Sequence, residues 1–269
     1  MPEHLPSLPP APDPWASLRS FTAARIALGR TGTSVPLAEA LAFRLAHAHA
    51  RDAVYSALET DRLLTELAAL GLPTCQVHSQ APDRPTYLRR PDLGRQLSEA
   101  SRTALPQVAG PACDVAVVLA DGLSATAANT HGLPLLHLLL PRLQAAGLRL
   151  GPLVLAEQAR VALADEVGQL LGARLVLMLL GERPGLSAPD SLGAYFTLGP
   201  RPGLTDEVRN CVSNIRPAGL PYAAAADKLA WLLGESLRRG LSGVALKDEA
   251  GLLDEQSLSN HPVLRPPAN

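Results

Sequence analysis

The chain has 269 residues, of which 47% are hydrophobic and only 3% are aromatic, and its formal net charge is −1. This much apolar sequence can build a sizeable core, which excludes a wholly disordered chain. The small net charge and the scarcity of aromatic rings argue against nucleic-acid binding, because the chain offers neither a positive field nor a base-stacking platform.

The two ends of the sequence differ from its middle. Residues 1–14 (MPEHLPSLPPAPDP) are proline-rich and cannot hold a helix, so we expect a flexible arm there. Residues 249–269 are expected to form a loose tail. The sequence shows no leader peptide and no apolar run near the ~18 residues that a membrane span requires. We therefore expect a cytoplasmic protein that makes no contact with a membrane.

Three cysteines, Cys75, Cys113 and Cys211, lie far apart and form no CxxC pair. An odd number of unpaired cysteines is typical of a reducing compartment, which agrees with a cytoplasmic location.

Residues 15–110 are predicted to form a helical N-terminal region. A long helical pattern runs from Val35 to Leu70, and Gly71 ends it. A polar connection with several prolines follows from Thr74 to Pro91, and a further helix is predicted from Asp92 to Leu105.

Residues 111–248 have the alternating texture of a Rossmann-like α/β domain. Strands are predicted at Asp114–Leu119, Pro152–Leu155, Ala173–Leu180 and Leu192–Leu198, with a long loop after the fourth and a last strand near Val244; helices are predicted after the Asp121-Gly122 turn, at Gln158–Leu171 and at Ala223–Arg239. Strands that alternate with helices of this length indicate a mostly parallel sheet covered on both faces.

Polar turns follow three predicted strands or loops of this domain. They are Asp121–Ser124, Gly181–Gly185 and the loop around Asn210 and Cys211. In open α/β sheets, ligands bind beyond the carboxyl ends of the strands. Each segment alone could be an ordinary polar turn, but three at one sheet edge favour a ligand site.

The common catalytic signatures are absent. The sequence contains no GxxxxGK[ST] phosphate loop, no GxGxxG after a strand and no HExxH, so we expect neither a metal ligand nor a catalytic residue in this chain. The segment Gly122–Thr126 imitates a nucleophile elbow around Ser124, although Thr126 stands where a second glycine is needed. A stand-alone α/β hydrolase and a nucleotide-binding regulatory module therefore remain alternatives.

A basic stretch comprises Arg84, Arg89, Arg90, Arg95 and Arg102. Such a run is most often a solvated helix face, but it could also meet an acidic partner surface or a cofactor phosphate. The sequence leaves both interpretations open.

Six segments become specific when they are taken together and in order. The set, spread from about Trp15 to Glu249, resembles the small subunit of ethanolamine ammonia-lyase: Thr22–Arg30, Leu45–Ala53, Ala120–Ala125, Gly181–Leu186 (GERPGL), Arg209–Ile215 (RNCVSNI) and Leu241–Lys247.

The resemblance implies a subunit of an adenosylcobalamin-dependent carbon–nitrogen lyase that converts ethanolamine to acetaldehyde and ammonia by radical chemistry. It implies a large-subunit partner with a (β/α)₈ barrel that carries out the reaction, in a hetero-oligomer that some organisms enclose in a bacterial microcompartment. The small subunit would help to hold the cofactor, which supplies the cobalt and the difficult chemistry.

The same resemblance suggests three cobalamin-binding residues. They are Val161 in the segment Gln158–Asp165, Glu182 in the GERPG segment, and Cys211 in the Arg-Asn-Cys segment. A carboxylate can accept hydrogen bonds from the amides and hydroxyls of a corrinoid, while valine and cysteine offer small apolar surfaces.

Overall fold

The computed structural model describes residues 13–22 and 24–248 of the chain. Within these ranges it contains seven α-helices and six strands: α1 Leu37–Tyr55, α2 Thr60–Ala68, β1 Thr74–His78, α3 Arg84–Arg89, α4 Glu99–Val108, β2 Val115–Ala120, α5 Ala125–Ala145, β3 Leu150–Glu157, α6 Leu163–Leu170, β4 Leu175–Gly181, β5 Leu192–Leu198, β6 Arg209–Ile215 and α7 Tyr222–Arg239.

The six strands form one mostly parallel sheet in the order β1-β3-β2-β4-β5-β6. Strands β1, β3, β2 and β4 are mutually parallel, whereas β5 is antiparallel to both of its neighbours. The carboxyl ends of β2, β3, β4 and β6 therefore lie at the same edge of the sheet, as does the start of β5. This is the edge at which the polar turns were expected.

Helices cover both faces of the sheet, so the central strands β2 and β4 are buried on both sides and apolar at every position. Alternate residues of β2 and β4 point into two separate buried clusters. One cluster includes side chains from α2, α5 and α7, and the other includes side chains from α4 and α6. This arrangement confirms the predicted α/β, Rossmann-like class with a helical segment before it.

The helix predicted from Val35 to Leu70 is two helices, α1 and α2. Ser56 adopts an extended backbone after α1, and its hydroxyl donates to Ala53 O and accepts from Thr126 N. The Asn129 side chain accepts from Glu59 N at 3.0 Å. These long-range hydrogen bonds to α5 stabilise the break between α1 and α2. The hydrophobic periodicity of the segment could not predict them, because their partners lie far away in the sequence.

Two other predicted helices begin later than expected. The one predicted from Asp92 is a short 3₁₀ turn at Leu93–Arg95 followed by α4, because the Ser98 hydroxyl caps α4 by accepting from Ser101 N. The one predicted from Gln158 begins at Leu163, since Gln158 adopts a left-handed backbone with φ of 52°.

Neither edge strand of the sheet, β1 or β6, was predicted from the sequence. The expected connection from Thr74 to Pro91 contains β1, which pairs in parallel with β3, and also α3. The expected long loop after Leu198 contains β6. The last strand predicted near Val244 is wrong, because that residue lies in a 3₁₀ turn, Gly243–Ala245, and its side chain is exposed.

The expected arm at 1–14 and the expected tail at 249–269 lie almost wholly outside the described residues. Of the arm, the structure describes Asp13 and Pro14, and the Asp13 carboxylate accepts hydrogen bonds from Trp15 N and Gly29 N. The domain boundary at 110/111 stays a prediction. None of the described helices is long and apolar enough to cross a membrane.

Candidate ligand-binding site

An open cleft of about 530 Å³ lies at the carboxyl edge of the sheet. Side chains from β4, β5, the turn after β2, the segment after β3 and helix α3 line it: Tyr87, Leu123, Arg160, Val161, Leu180, Gly181, Glu182, Arg183 and Tyr195. Its mixture of one carboxylate, two guanidinium groups, the phenol of Tyr195 and aliphatic walls suits a large polar ligand.

The floor of the cleft depends on close contact between the ends of β2 and β4. Leu123 N donates to Gly181 O at 2.8 Å. A Cβ atom at Gly181 would lie 2.0 Å from Ser124 O, and one at Gly122 would lie 2.1 Å from Gly181 O. Gly122 also has a left-handed backbone with φ of 56°. Only glycine allows this approach, which places Glu182 at the cleft.

Glu182 follows β4 directly, and its carboxylate lies over Gly193 of β5. A Cβ atom at Gly193 would be 2.7 Å from Glu182 Oε1 and 2.8 Å from the Tyr195 ring. The carboxylate accepts from the Ser191 hydroxyl and, at 3.4 Å, from Asn214 N. Both of these contacts from described residues go to Oε2, so Oε1 retains capacity to accept hydrogen bonds from a ligand.

Val161 and Cys211 occupy different positions relative to this carboxylate. Val161 is half-buried and lines the same cleft as Glu182. Cys211 lies within β6, directly opposite Tyr195 on β5, and its side chain is exposed. The prediction that Cys211 lies in a loop at a strand end is therefore wrong. Its place in an edge strand was missed because Arg-Asn-Cys-Val-Ser-Asn has little hydrophobic alternation.

Tyr195 lines the cleft with Glu182 and lies opposite Cys211 in the sheet. Burial raises the pKa of its hydroxyl, and the neighbouring Cys211 and Glu182 raise it further. The phenol therefore stays protonated and can donate a hydrogen bond at neutral pH. Val161 and Glu182 share the cleft, and Cys211 adjoins it through Tyr195.

Asp121, the first residue of a predicted ligand turn, is instead a buried structural carboxylate. It accepts from the backbone N–H groups of Gly122, Gln158 and Ala159 at 2.8 to 3.1 Å, and Arg84 Nη1 lies 3.4 Å away. Burial raises the pKa of Asp121 to about 6, against the opposing effects of Arg84 and the N–H groups. Asp121 thus ties the ends of β2 and β3 together beneath the cleft.

Ser124 does not have the surroundings of a catalytic nucleophile. It is completely buried, it caps α5 by accepting from Ala127 N, and its hydroxyl donates to Pro189 O. A serine hydrolase needs an exposed hydroxyl that is bonded to a histidine. His131 is bonded instead to Tyr222 and Asp190. Among the described residues no cluster of three or more histidine, cysteine or acidic side chains could hold a metal ion.

Three lining residues, Tyr87, Arg160 and Tyr195, were not singled out in the sequence. Tyr87 belongs to the segment interpreted as a connection, and Arg160 stands next to Val161 without a motif of its own. Arg84 was counted in a basic stretch with a solvated face as the default, but its side chain is only 12% exposed. Arg102 of the same stretch pairs with Glu99 and Glu166.

A doubly covered, mostly parallel sheet with an open polar cleft at its carboxyl edge defines a Rossmann-like α/β protein with a candidate ligand site. Comparisons with known proteins identify the family within this class. Residues 12–247 match the family described as ethanolamine ammonia-lyase light chain (EutC). The chain belongs to this family.

Relatives named ethanolamine ammonia-lyase small subunit cover nearly the whole chain. The protein from Azotobacter vinelandii is 56% identical over 245 residues, which are 90% of this chain and 91% of the relative. One from Bradyrhizobium diazoefficiens is 56% identical over 238 residues, 88% of this chain and 91% of its own length. One from Pseudomonas putida strain W619 is 52% identical over 258 residues, 94% and 95% of the two chains.

Proposed function

We propose that this chain binds adenosylcobalamin at the carboxyl edge of its sheet, as the small subunit of an ethanolamine ammonia-lyase whose large subunit, a (β/α)₈ barrel, carries out the reaction. The proposal rests on the shared cleft of Val161 and Glu182, which motif resemblance selected separately. Cys211 lies outside this cleft, on β6 opposite the cleft residue Tyr195, and lines a second groove.

The donors and acceptors of the cleft fit a corrinoid. The amide side chains and hydroxyl groups of such a ligand can donate to Glu182 Oε1 and accept from Tyr195 and Arg160. A corrinoid is larger than the cleft, and the cleft is open, so this chain can enclose only part of it. The remainder would be covered by the partner, which suits a site shared between two subunits.

This chain's own residues bind and orient. Glu182 is held by Ser191 and the Asn214 backbone, and Gly193 leaves space for it, so its carboxylate is positioned before the ligand arrives. Val161 and Tyr195 exclude water from the walls. When bound, adenosylcobalamin supplies the radical chemistry, and no side chain of the cleft is arranged as a proton-transfer pair toward a substrate.

Reconstitution tests the proposal. The isolated chain should show no ammonia release from ethanolamine, and the mixture with the large subunit and adenosylcobalamin should release ammonia. Turnover by the isolated chain would contradict the division of labour. Full turnover by the large subunit without this chain would show that the chain has no part in the cofactor site.

A further inference from the structure

Two guanidinium groups approach the ring of Tyr87 beside the cleft. Cζ of Arg84 lies 4.8 Å, and Cζ of Arg160 4.3 Å, from the ring centroid. Tyr87 is completely buried, and its hydroxyl donates to Ala159 O at 2.9 Å. The ring is therefore a fixed platform, and it holds both cations in place.

Arg160 is fixed at its backbone as well as at its head group. Its N–H donates to Gly94 O at 2.7 Å. Its Cγ lies against Gly94, where a Cβ atom would come within 2.9 Å of it. A surface arginine normally loses side-chain freedom when it binds a ligand, whereas this one has already lost it in the folded chain.

The guanidinium of Arg160 is nevertheless almost without partners among the described residues. It makes one hydrogen bond, from Nη2 to Tyr87 O at 3.4 Å, and no ion pair. Its Nε is buried without an acceptor, and so is Nη2 of Arg84; within the described ranges these are the two buried side-chain polar atoms of this kind. These two nitrogen atoms could donate hydrogen bonds to an acceptor from outside the described residues.

The charges around the cleft also leave a positive excess. Arg84, Arg160 and Arg183 lie in or beside it, against Asp121 and Glu182. Asp121 is shared with Arg84 and three backbone N–H groups, and Glu182 is bonded to Ser191 and Asn214. One positive charge therefore remains, and a single negative charge would balance it.

We propose that Arg160 binds the phosphodiester of the cofactor's nucleotide arm, with Arg84 strengthening the positive potential from behind the Tyr87 ring. This inference rests on the proposed function. The phosphodiester is the single negatively charged group of a corrinoid's nucleotide arm, and a planar guanidinium matches two phosphate oxygens. Arg160 would thus distinguish corrinoids with the nucleotide from those without it.

The test compares two corrinoids on the purified complex of this chain with its large subunit. Cyanocobalamin carries the nucleotide arm, and cobinamide lacks it. Binding of each is followed by corrin absorbance, without turnover, for the wild type and for Arg160→Gln. Arg89→Gln is the matched control, because Arg89 is exposed and lines neither this cleft nor the adjacent groove that Arg160 also lines.

Arg160→Gln should weaken cyanocobalamin binding about tenfold, the effect of one charge-assisted contact, and leave cobinamide binding unchanged. Arg89→Gln should change the binding of neither corrinoid. Raising the salt concentration should weaken cyanocobalamin binding more in the wild type than in Arg160→Gln, because the variant has lost the charged contact. Melting temperatures of the complexes establish that each variant is folded.

Several results would overturn the inference. An equal loss for both corrinoids would assign Arg160 to the corrin or to folding, and no loss for either would leave it without a ligand role. Equal salt dependence in the two complexes would assign it to an uncharged part of the nucleotide. Dissociation of the subunits in Arg160→Gln would identify a carboxylate of the large subunit as its partner. A wild-type complex that binds neither corrinoid would instead refute the proposed function itself.

Discussion

Individual carboxylates at the strand ends of this sheet have different surroundings, and their surroundings decide what they can do. Asp121 is buried and fully hydrogen-bonded within the chain, so it fixes the strand ends. Glu182 faces the cleft, and among the described residues no backbone N–H or hydroxyl donates to its Oε1. Position at the sheet edge alone does not separate a structural carboxylate from a ligand-binding one.

Asp114, before β2, stabilises the fold through two arginines. Arg149 bonds it through N, Nε and Nη2, and Arg174 Nη1 lies 3.1 Å away. Hydrogen bonds from Arg149 are the main reason that its pKa is lowered to about 2. The unfolded value is about 3.9, so this stabilisation is complete above pH 4 and is lost as the pH falls through about 2.

We therefore expect Asp114→Asn to lower the free energy of unfolding at pH 7 by about 1–2 kcal/mol, with the difference from wild type shrinking between pH 4 and 2. Urea denaturation at several pH values measures it. Asp227→Asn, which removes an exposed ion pair with Arg142, should cost much less at every pH. A wild-type advantage that persists at pH 2 would contradict the assignment.

At the scale of elements, the sequence determines the centre of the sheet more clearly than its edges. Val115–Ala120 and Leu175–Gly181 are buried at every position, and such continuous apolar runs are easily recognised. The edge strands β1 and β6 contain polar residues such as Gln76 and Asn210, since one side of each has no neighbouring strand. Their pairing is a property of the assembled sheet, which local patterns do not contain.

The candidate site, like the sheet, could be predicted from the sequence only in part. The turn that holds Glu182 was recognisable because a buried strand precedes it and Pro184-Gly185 follow it, and the family resemblance singled out the residue itself. Arg160, Tyr87 and Tyr195 come from three separate elements and meet only after folding. Their roles follow from burial, stacking and missing partners, none of which a linear motif records.

The contact between the ends of β2 and β4 gives a prediction for the whole edge. Gly181→Ala would place a methyl group 2.0 Å from Ser124 O and 2.4 Å from Asp121 O, so the two strand ends must separate. We expect a loss of about 3 kcal/mol or more in the free energy of unfolding. Gly185→Ala, in the following turn and no nearer than 3.7 Å to its neighbours, is the control and should be tolerated. Equal stability of the two variants in thermal unfolding would refute the close-packing argument.

In the molecule as a whole, many large apolar side chains are exposed in the N-terminal part of the described sequence. Nine of the eleven largest exposed ones belong to residues 15–55, including Phe21 at 85% and Leu37 at 73% exposure. Exposed apolar surface of this kind promotes association. It is consistent with a chain that functions against a partner.

We expect the isolated chain to self-associate as its concentration rises, and the complex with the large subunit to sediment as a single species. Replacing Phe21 and Leu37 by serine should reduce the self-association, whereas replacing Val244, exposed elsewhere on the chain, should not. Sedimentation velocity measures both. An isolated wild-type chain that remains monomeric throughout would show that these side chains do not drive association.

In the proposed function, Glu182 is the residue through which this chain contributes most directly to a cobalamin site. The most direct test of this contribution is a cobalamin titration of the purified complex, followed by corrin absorbance, for wild type, Glu182→Gln and Glu157→Gln. Glu157 ends β3 at the same edge and is bonded to Gln76 outside the cleft, so it controls for charge. Because a charged hydrogen bond contributes about 1.5–3 kcal/mol, Glu182→Gln should weaken binding about tenfold or more, and Glu157→Gln should not. Unchanged cobalamin affinity in a folded Glu182→Gln complex would show that Glu182 does not bind the cofactor.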